Sequence, residues 1–361
     1  MSAGQGGRVP VAVLGATGAV GQTFVRLLHG HPLLQLVEVA ASERSTGRSY
    51  ADVARWHEGE LPPEVGALKV LPCDPVAVTS RVVFSALDAS VAGPIEETFA
   101  GAGAVVLSNA KNHRMAADVP LVIPEVNANH LALIETQRAN RGWSGAIVTN
   151  ANCAVTVVAL ALAPLHRAFR VRQVVVTTLQ AVSGAGYPGV ASLDILGSVV
   201  PYISGEEEKI EQELTKLLGV LEGAQIVGAP IVVSAHANRV PVRHGHTVCL
   251  SVGFDEAVTP EAALEVLRAW RGEGACEGLP SAPTEPLVLR AEEDRPQARR
   301  DAYAGGGMSV VVGRLRPDRV MHLRFVALGH NTIRGAAGGS ILNAEMMGRR
   351  GLLPDVAEGR W

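Results

Sequence analysis

The stretch Asn150-Ala151-Asn152-Cys153 holds the residues best suited to chemistry. It follows a short apolar run, Ala146 to Thr149, and opens a long apolar helical pattern from Ala154 to Leu165. A cysteine at a strand-to-helix junction has backbone N–H groups aimed at it, and the positive end of the helix dipole lowers its pKa. The same N–H groups can hold a developing oxyanion. Cys153 is therefore a candidate nucleophile, with a buried structural thiol as the alternative. Downstream, Arg239-Val240-Pro241-Val242-Arg243-His244-Gly245-His246 joins two strand-like runs, Asn238 to Val242 and Thr247 to Phe254. Arg239 offers an anion-binding fork, and His246 is either a titrating base or a surface histidine. Cysteine, base and arginine are the minimum for acyl chemistry on an anionic substrate.

The elements that would carry these groups alternate between strand and helix. Val9 to Leu14 is an apolar run ending in Gly15-Ala16-Thr17-Gly18-Ala19-Val20-Gly21, and an amphipathic helix with Phe24, Leu27 and Leu28 on one face follows. Strand, glycine turn and helix form the setting of a dinucleotide fingerprint, with the pyrophosphate on the helix N-terminus. A second strand, Leu36 to Ala40, leads into Ser42-Glu43-Arg44-Ser45. Two hydroxyls and an arginine at this point suit a 2′-phosphate, so NADP is expected over NAD. Glu43 is the counter-signal, and Arg44 pairing with it at the surface is the alternative. Arg81 to Ala86 and Ala104 to Ser108 read as strands around a helix, Val91 to Phe99, which implies a parallel sheet covered on both faces. Val53 to Pro63 shows no clear period.

The second half has different patterning. Val171 to Leu179 is a strand rich in β-branched residues that ends at Gln180. It enters a small-residue loop, Ala181 to Gly189, of the kind that serves a site or an interface. A charged helix begins near Gly205 with Glu206, Glu207, Glu208 and Lys209. Taken alone it reads as a solvated helix start, its acids placed well for the dipole. A strand from Val320 to Leu328 precedes His330 to Gly339, and a helix follows from Ser340 through Met347. That small-residue helix start is expected to return to the nucleotide lobe and pack near the cofactor.

Composition narrows the class. At 361 residues two domains are the natural expectation. A net charge of −3 argues against a general nucleic-acid surface, and 4% aromatic residues leave no stacking platform. Cys73, Cys153, Cys249 and Cys276 show neither metal spacing nor a disulfide framework. Met1 to Pro10 lacks a signal-peptide pattern and no charge-free stretch would span a bilayer, so a cytoplasmic protein without metal, membrane or nucleic-acid partners is expected.

Taken in order, several stretches closely resemble the aspartate-semialdehyde dehydrogenase family, particularly its archaeal and fungal branch. They are Gly15 to Gly18, Ser108 to Met115, Asn150 to Cys153, Thr178 to Gly189, Gly205 to Ile210, Asn238 to His246 and Arg334 to Gly338. The family usually reads Asn-Pro-Asn-Cys-Ser at its junction; here Ala151 replaces the proline and Ala154 the serine. The resemblance implies an α/β chain of glyceraldehyde-3-phosphate-dehydrogenase-like fold. It would comprise a Rossmann-like NADP-binding domain over 1–152, an α+β catalytic and dimerisation domain over 153–329, and a helical segment over 330–361 returning to the first. It also implies reduction of L-aspartyl 4-phosphate to L-aspartate 4-semialdehyde through a thioester, in the route to lysine, threonine and methionine, by a homodimer or homotetramer.

By the same resemblance Cys153 is the nucleophile, His246 the acid/base that protonates the oxyanion, and Gln180 the residue that orients the substrate. Arg239 would bind the substrate carboxylate, Arg114 and Lys209 the phosphate, and Glu206 the amino group, with Asn152 beside the nucleophile. Gly15 to Val20, Ser42, Arg44, Ser45, Ser183, Gly184 and Asn331 would line the cofactor. Malonyl-CoA reductase and N-acetylglutamyl-phosphate reductase share the layout and are the rival enzymes; an NADP-binding redox sensor is the rival outside catalysis.

Overall fold

The computed structural model describes residues 7–272, 276–354, 356 and 361. The start of the Met1 to Pro10 segment and the outer ends of the anticipated first and last domains lie outside the described residues.

Two sheets divide the chain. The first is built from β1 (Val9–Leu14), β2 (Leu34–Ala41), β3 (Val70–Pro72), β4 (Val82–Ser85), β5 (Val105–Ser108), β6 (Leu121–Val122) and β7 (Ala146–Asn150). Their order is β3-β2-β1-β4-β5-β7-β6, and every pairing is parallel. β4, β5 and β7 are buried along their whole length, as a sheet covered on both faces requires. The chain leaves β1 toward opposite edges through β2 and β4. That switch point opens a crevice at the carboxyl ends of β1 and β4.

The second sheet contains β8 (Val171–Ala181), β11 (Val232–Val240), β12 (His246–Phe254), β13 (Leu287–Arg290), β14 (Val310–Pro317) and β15 (Leu323–Gly329), while β9 (Val220–Glu222) and β10 (Gln225–Val227) form a separate hairpin. The order is β11-β8-β12-β15-β14-β13, with β11 and β13 parallel to their neighbours and the other pairs antiparallel. The helix Cys153–Phe169 links the two sheets, and every residue from Ala154 to Leu165 is buried. A helix apolar all round has no solvent face, so its ends are fixed by what packs around it.

The chain then returns. A π-helical turn, Ile333–Ala337, runs directly into the helix Gly338–Arg349. Ile341, Leu342, Met346 and Met347 join Phe24, Val11 and Val13 in one apolar core. The helix Gly338–Arg349 thus packs on the first sheet.

Element limits differ where the local pattern was weak. β11 begins at Val232, well before Asn238, because its parallel partner β8 extends the ladder back to Gln173. β15 begins at Leu323, since the 90% exposed Val320 sits in a turn whose N–H groups bond Asp318. Most of Val53 to Pro63 forms no regular element, in keeping with its missing period.

Candidate active site

Cys153 is the first residue of its helix, with Asn152 as N-cap. Asn152 Oδ1 accepts from the N–H groups of Ala154 (2.9 Å) and Val155 (3.2 Å). The N–H of Asn152 itself donates to Glu213 Oε2 at 2.7 Å. These three donors hold the helix start.

Cys153 Sγ lies 3.2 Å from His246 Nε2. His246 is wholly buried at the start of β12, and its Nδ1 accepts the N–H of Ala181 at 3.1 Å. That bond puts a lone pair on Nδ1, so the neutral ring carries its proton on Nε2, facing the sulfur. Burial, followed by the Arg239 charge, pushes the imidazole down to about 3. Burial likewise pushes the Cys153 thiol up to about 12; Glu206 adds to the rise, while Arg114, Arg239 and the Ala154 N–H oppose it. Burial thus opposes the downward thiol shift expected from the helix dipole, and the two arginines act with the dipole. Ligand-free, the pair rests as neutral thiol and neutral imidazole.

The polar wall beside them is contiguous. Buried Gln180 and Asn152 both donate to Glu206, from Gln180 Nε2 at 3.2 Å and Asn152 Nδ2 at 3.0 Å. Lys209 Nζ reaches Glu206 Oε1 at 2.6 Å. Burial works against the Glu206 charge, but Lys209 and these amide donors together hold its carboxyl below the usual range. Arg239 anchors on the Ala181 carbonyl at 2.8 Å. Gly184 faces the same place: a Cβ there would lie 2.9 Å from Arg239 and 3.1 Å from the His246 ring. Arg114 donates to Glu213 at 2.8 Å and to the Asn109 carbonyl at 2.7 Å, while its buried Nε has no protein partner among the described residues. Cys153 thus touches His246; Gln180, Asn152 and Lys209 meet on Glu206; and Arg239 joins them through Ala181, whose N–H donates to His246. Arg114 enters through Glu213.

The glycine turn fits a dinucleotide. Gly15 has φ +70, and a Cβ there would strike the Ala86 carbonyl at 2.6 Å. A Cβ on Gly21 would meet the Gly15 oxygen at 2.2 Å, so helix and turn touch backbone to backbone. Gly18 caps the helix Ala19–Leu28 with no side-chain acceptor, leaving the N-terminus to an anion. Tyr50 supports the turn through the Ala16 carbonyl at 2.7 Å. Thr17, Ala19 and Val20 follow the turn, and the carbonyls of Thr17 and Ala19 are held by Gln22 and Thr23. Ser42 and Arg44 are exposed just beyond β2 and Ser45 partly so; no ion pair joins Arg44 to Glu43 among the described residues. At the other end, Ser183 Oγ accepts from Asn331 at 2.8 Å beside a cavity of about 670 Å³ between the lobes. Tyr187 crosses that gap, its hydroxyl accepting from Arg55 at 3.1 Å and its ring stacked on His57 at 5.0 Å.

Residues 10–134 match the profile of the semialdehyde dehydrogenase NAD-binding domain, and 162–334 that of the semialdehyde dehydrogenase dimerisation domain. An aspartate-semialdehyde dehydrogenase from Archaeoglobus fulgidus is 50% identical over 94% of this chain and 98% of its own length. The chain belongs to the aspartate-semialdehyde dehydrogenase family. The crystal structure of a family member with NADP, from Candida albicans, superimposes with a TM-score of 0.88 at 40% identity, covering 96% of this chain and all of that one. A malonyl-CoA reductase (NADP) from Metallosphaera sedula is also similar, 40% identical over 95% of this chain and 97% of its own. The fold accordingly pairs an N-terminal nucleotide-binding Rossmann domain with an α+β domain of the catalytic and dimerisation type.

Sequence reasoning missed Glu213, Lys216, Ala181 and Gly335. Lys216 Nζ donates to the carbonyls of Arg114 (2.7 Å), Ala116 (2.8 Å) and Val119 (2.8 Å), which holds the loop carrying Arg114. Gly335 lies against the nucleophile: a Cβ there would be 2.6 Å from the Cys153 Cβ. The one available signal was the spacing of Glu206, Lys209, Glu213 and Lys216, which shares one helix face.

Proposed function

We propose that this protein is an NADP-dependent aspartate-semialdehyde dehydrogenase that converts L-aspartyl 4-phosphate to L-aspartate 4-semialdehyde and phosphate. The observation that carries the reading is the 3.2 Å approach of Cys153 Sγ to His246 Nε2, with the fields of Arg239 and Arg114 acting on the sulfur.

The Cys153 sulfur attacks the acyl carbon, a C–S bond forms, the C–O bond to phosphate breaks, and the thiol proton passes to the departing phosphate. Arg114 and Lys209 receive the departing phosphate, which carries off the thiol proton; the unpartnered Arg114 Nε is a donor suited to it. NADP, bound in its reduced form, supplies the hydride that reduces the thioester. His246 holds its Nε2 proton first against the sulfur and then against the oxyanion. Collapse to the aldehyde releases thiolate, which takes one proton from solvent to restore the resting thiol, so the ring can stay neutral throughout. Arg239 receives the substrate carboxylate in its fork, Glu206 the ammonium group, and Gln180 and Asn152 fix Glu206.

On the same reading, the glycine turn from Gly15 to Val20 holds the pyrophosphate, Ser42, Arg44 and Ser45 the 2′-phosphate, and Ser183, Gly184 and Asn331 the nicotinamide end. The domain limits proposed are 1–152, 153–329 and 330–361, and the working form is a homodimer or homotetramer in the cytoplasm, acting in amino-acid biosynthesis. No helix among the described residues is long and apolar enough to cross a membrane, and none of their side-chain clusters has the makings of a metal site.

The malonyl-CoA reductase relative makes acyl-CoA reduction the second reading. Glu206 favours the aminated substrate, because once Lys209 turns to the phosphate its buried carboxylate needs a second cation, which an ammonium supplies and a malonyl group does not. Steady-state rates decide between them: phosphate-dependent NADP reduction with aspartate semialdehyde is expected to exceed malonyl-CoA-dependent NADPH oxidation. The reverse order would overturn the assignment.

A further inference from the structure

We infer that Glu213 is a positioning residue that holds the phosphate-binding arginine and the nucleophile in one register. Its carboxylate is 2% exposed and divided between two tasks. Oε1 accepts from Arg114 NH1 at 2.8 Å, and Oε2 accepts the backbone N–H of Asn152 at 2.7 Å. Asn152 is the cap immediately before Cys153, so one rigid, planar group spans the leaving-group cation and the attacking sulfur. Charge-assisted bonds of this length hold their partners closely.

The surroundings leave Arg114 little other restraint. Its NH2 bonds the Asn109 carbonyl and its Nε has no protein partner among the described residues, so Glu213 supplies its only side-chain anchor there. Glu206 and Glu213 lie two turns apart on one face of the helix Glu206–Leu217. The first meets the Asn152 side chain and the second the Asn152 backbone. The helix therefore grips the nucleophile's cap at two points and extends only the second grip to Arg114.

This inference rests on the proposed phosphate chemistry, and one experiment separates the two. Glu213→Gln keeps an oxygen for the Asn152 N–H but cannot accept from Arg114 and the backbone together; Glu213→Asp keeps the charge and shortens the reach. In aldehyde oxidation with NADP, either variant should raise the KM for phosphate roughly 10-fold while the KM for aspartate semialdehyde moves less than about twofold. A second readout needs neither cofactor nor turnover. The inorganic phosphate concentration that halves alkylation of Cys153 by iodoacetamide should rise by the same factor.

A folded variant of either kind whose phosphate KM and phosphate protection both match the wild type overturns the inference. So does a fall in melting temperature with both unchanged, which would make Glu213 a staple and no more. An equal rise in both KM values, from general distortion, overturns it as well. A wild type that shows no phosphate-dependent turnover, yet whose phosphate protection is lost in Glu213→Gln, would remove the functional reading and leave the positioning role standing.

Discussion

Replacing Gly335 by alanine tests whether the nucleophile is held by packing from behind. An added Cβ would sit 2.6 Å from the Cys153 Cβ and 2.8 Å from its Cα. Ordinary carbon–carbon contact begins near ~3.5 Å, so one side must move by roughly 0.7–0.9 Å. The backbone at 335 is helical, which alanine adopts readily, and helix propensity returns about 1 kcal/mol. Neither side yields easily, because Cys153 begins a buried helix and Arg334 is pinned by a buried pair to Glu125 at 2.7 and 2.6 Å. Overpacking of this kind costs about 1–3 kcal/mol of stability.

The catalytic effect is of similar free-energy size. Moving the sulfur by most of an ångström disturbs its 3.2 Å contact with His246 and its aim at the acyl carbon, and misplacement on that scale lowers kcat about 10²-fold. The assay is phosphate-dependent formation of NADPH from aspartate semialdehyde, followed by absorbance, beside thermal unfolding of both proteins. Gly228→Ala serves as control, since its added Cβ meets nothing closer than 3.7 Å and should leave kcat unchanged. A Gly335→Ala protein with wild-type kcat and melting temperature would refute the packing account.

Three further outcomes follow from the same contacts. His246→Asn should lower kcat by about 10²–10³-fold, because the Nε2 donor to the oxyanion is lost; an unchanged kcat measured at saturating substrate would remove His246 from the chemistry. Arg239→Lys should chiefly raise the KM for aspartate semialdehyde, since an ammonium cannot form the planar fork, and an unaltered KM would exclude Arg239 from the carboxylate pocket. Acid should destabilise the fold. His246 and His330 are pushed down to about 3 and His130 to about 4, in each case chiefly by burial. Below the ordinary histidine pKa the unfolded chain takes up protons that the folded chain refuses, so stability is full above about pH 6.5 and falls steadily toward pH 4. Urea midpoints that stay constant from pH 7 to about pH 4.5 would contradict those buried neutral rings.

Much of the first sheet was legible because its signals are local. Apolar runs bounded by glycine turns placed β1, β4, β5 and β7 closely, and the Asn150-to-Cys153 junction lies at a strand-to-helix turn in the structure. Cys153 and His246 could each be proposed from local setting and resemblance, but their contact depends on two sheets meeting. The charged helix starting at Glu206 was the least legible element. It reads as solvated from its first turn, whereas Glu206, Glu213 and Lys216 are buried against loops far away in sequence. No local pattern reveals that Glu213 meets Arg114, because a buried ion pair depends on both partners arriving. The thiol environment is hard to read for a related reason: a helix dipole can be read from sequence, but the withdrawal of water around one sulfur cannot.

The π-turn at Ile333–Ala337 has a consequence for how the molecule is made. The ribosome delivers the first lobe, then the second, and only afterwards the helix whose Ile341 and Met346 complete the first core. Until residues 333–349 emerge, Cys153 lacks the backbone that packs behind it and Glu125 has no Arg334 to neutralise it. Fragments released before residue 333 is made therefore carry an unclamped thiol and leave Glu125 without its cation.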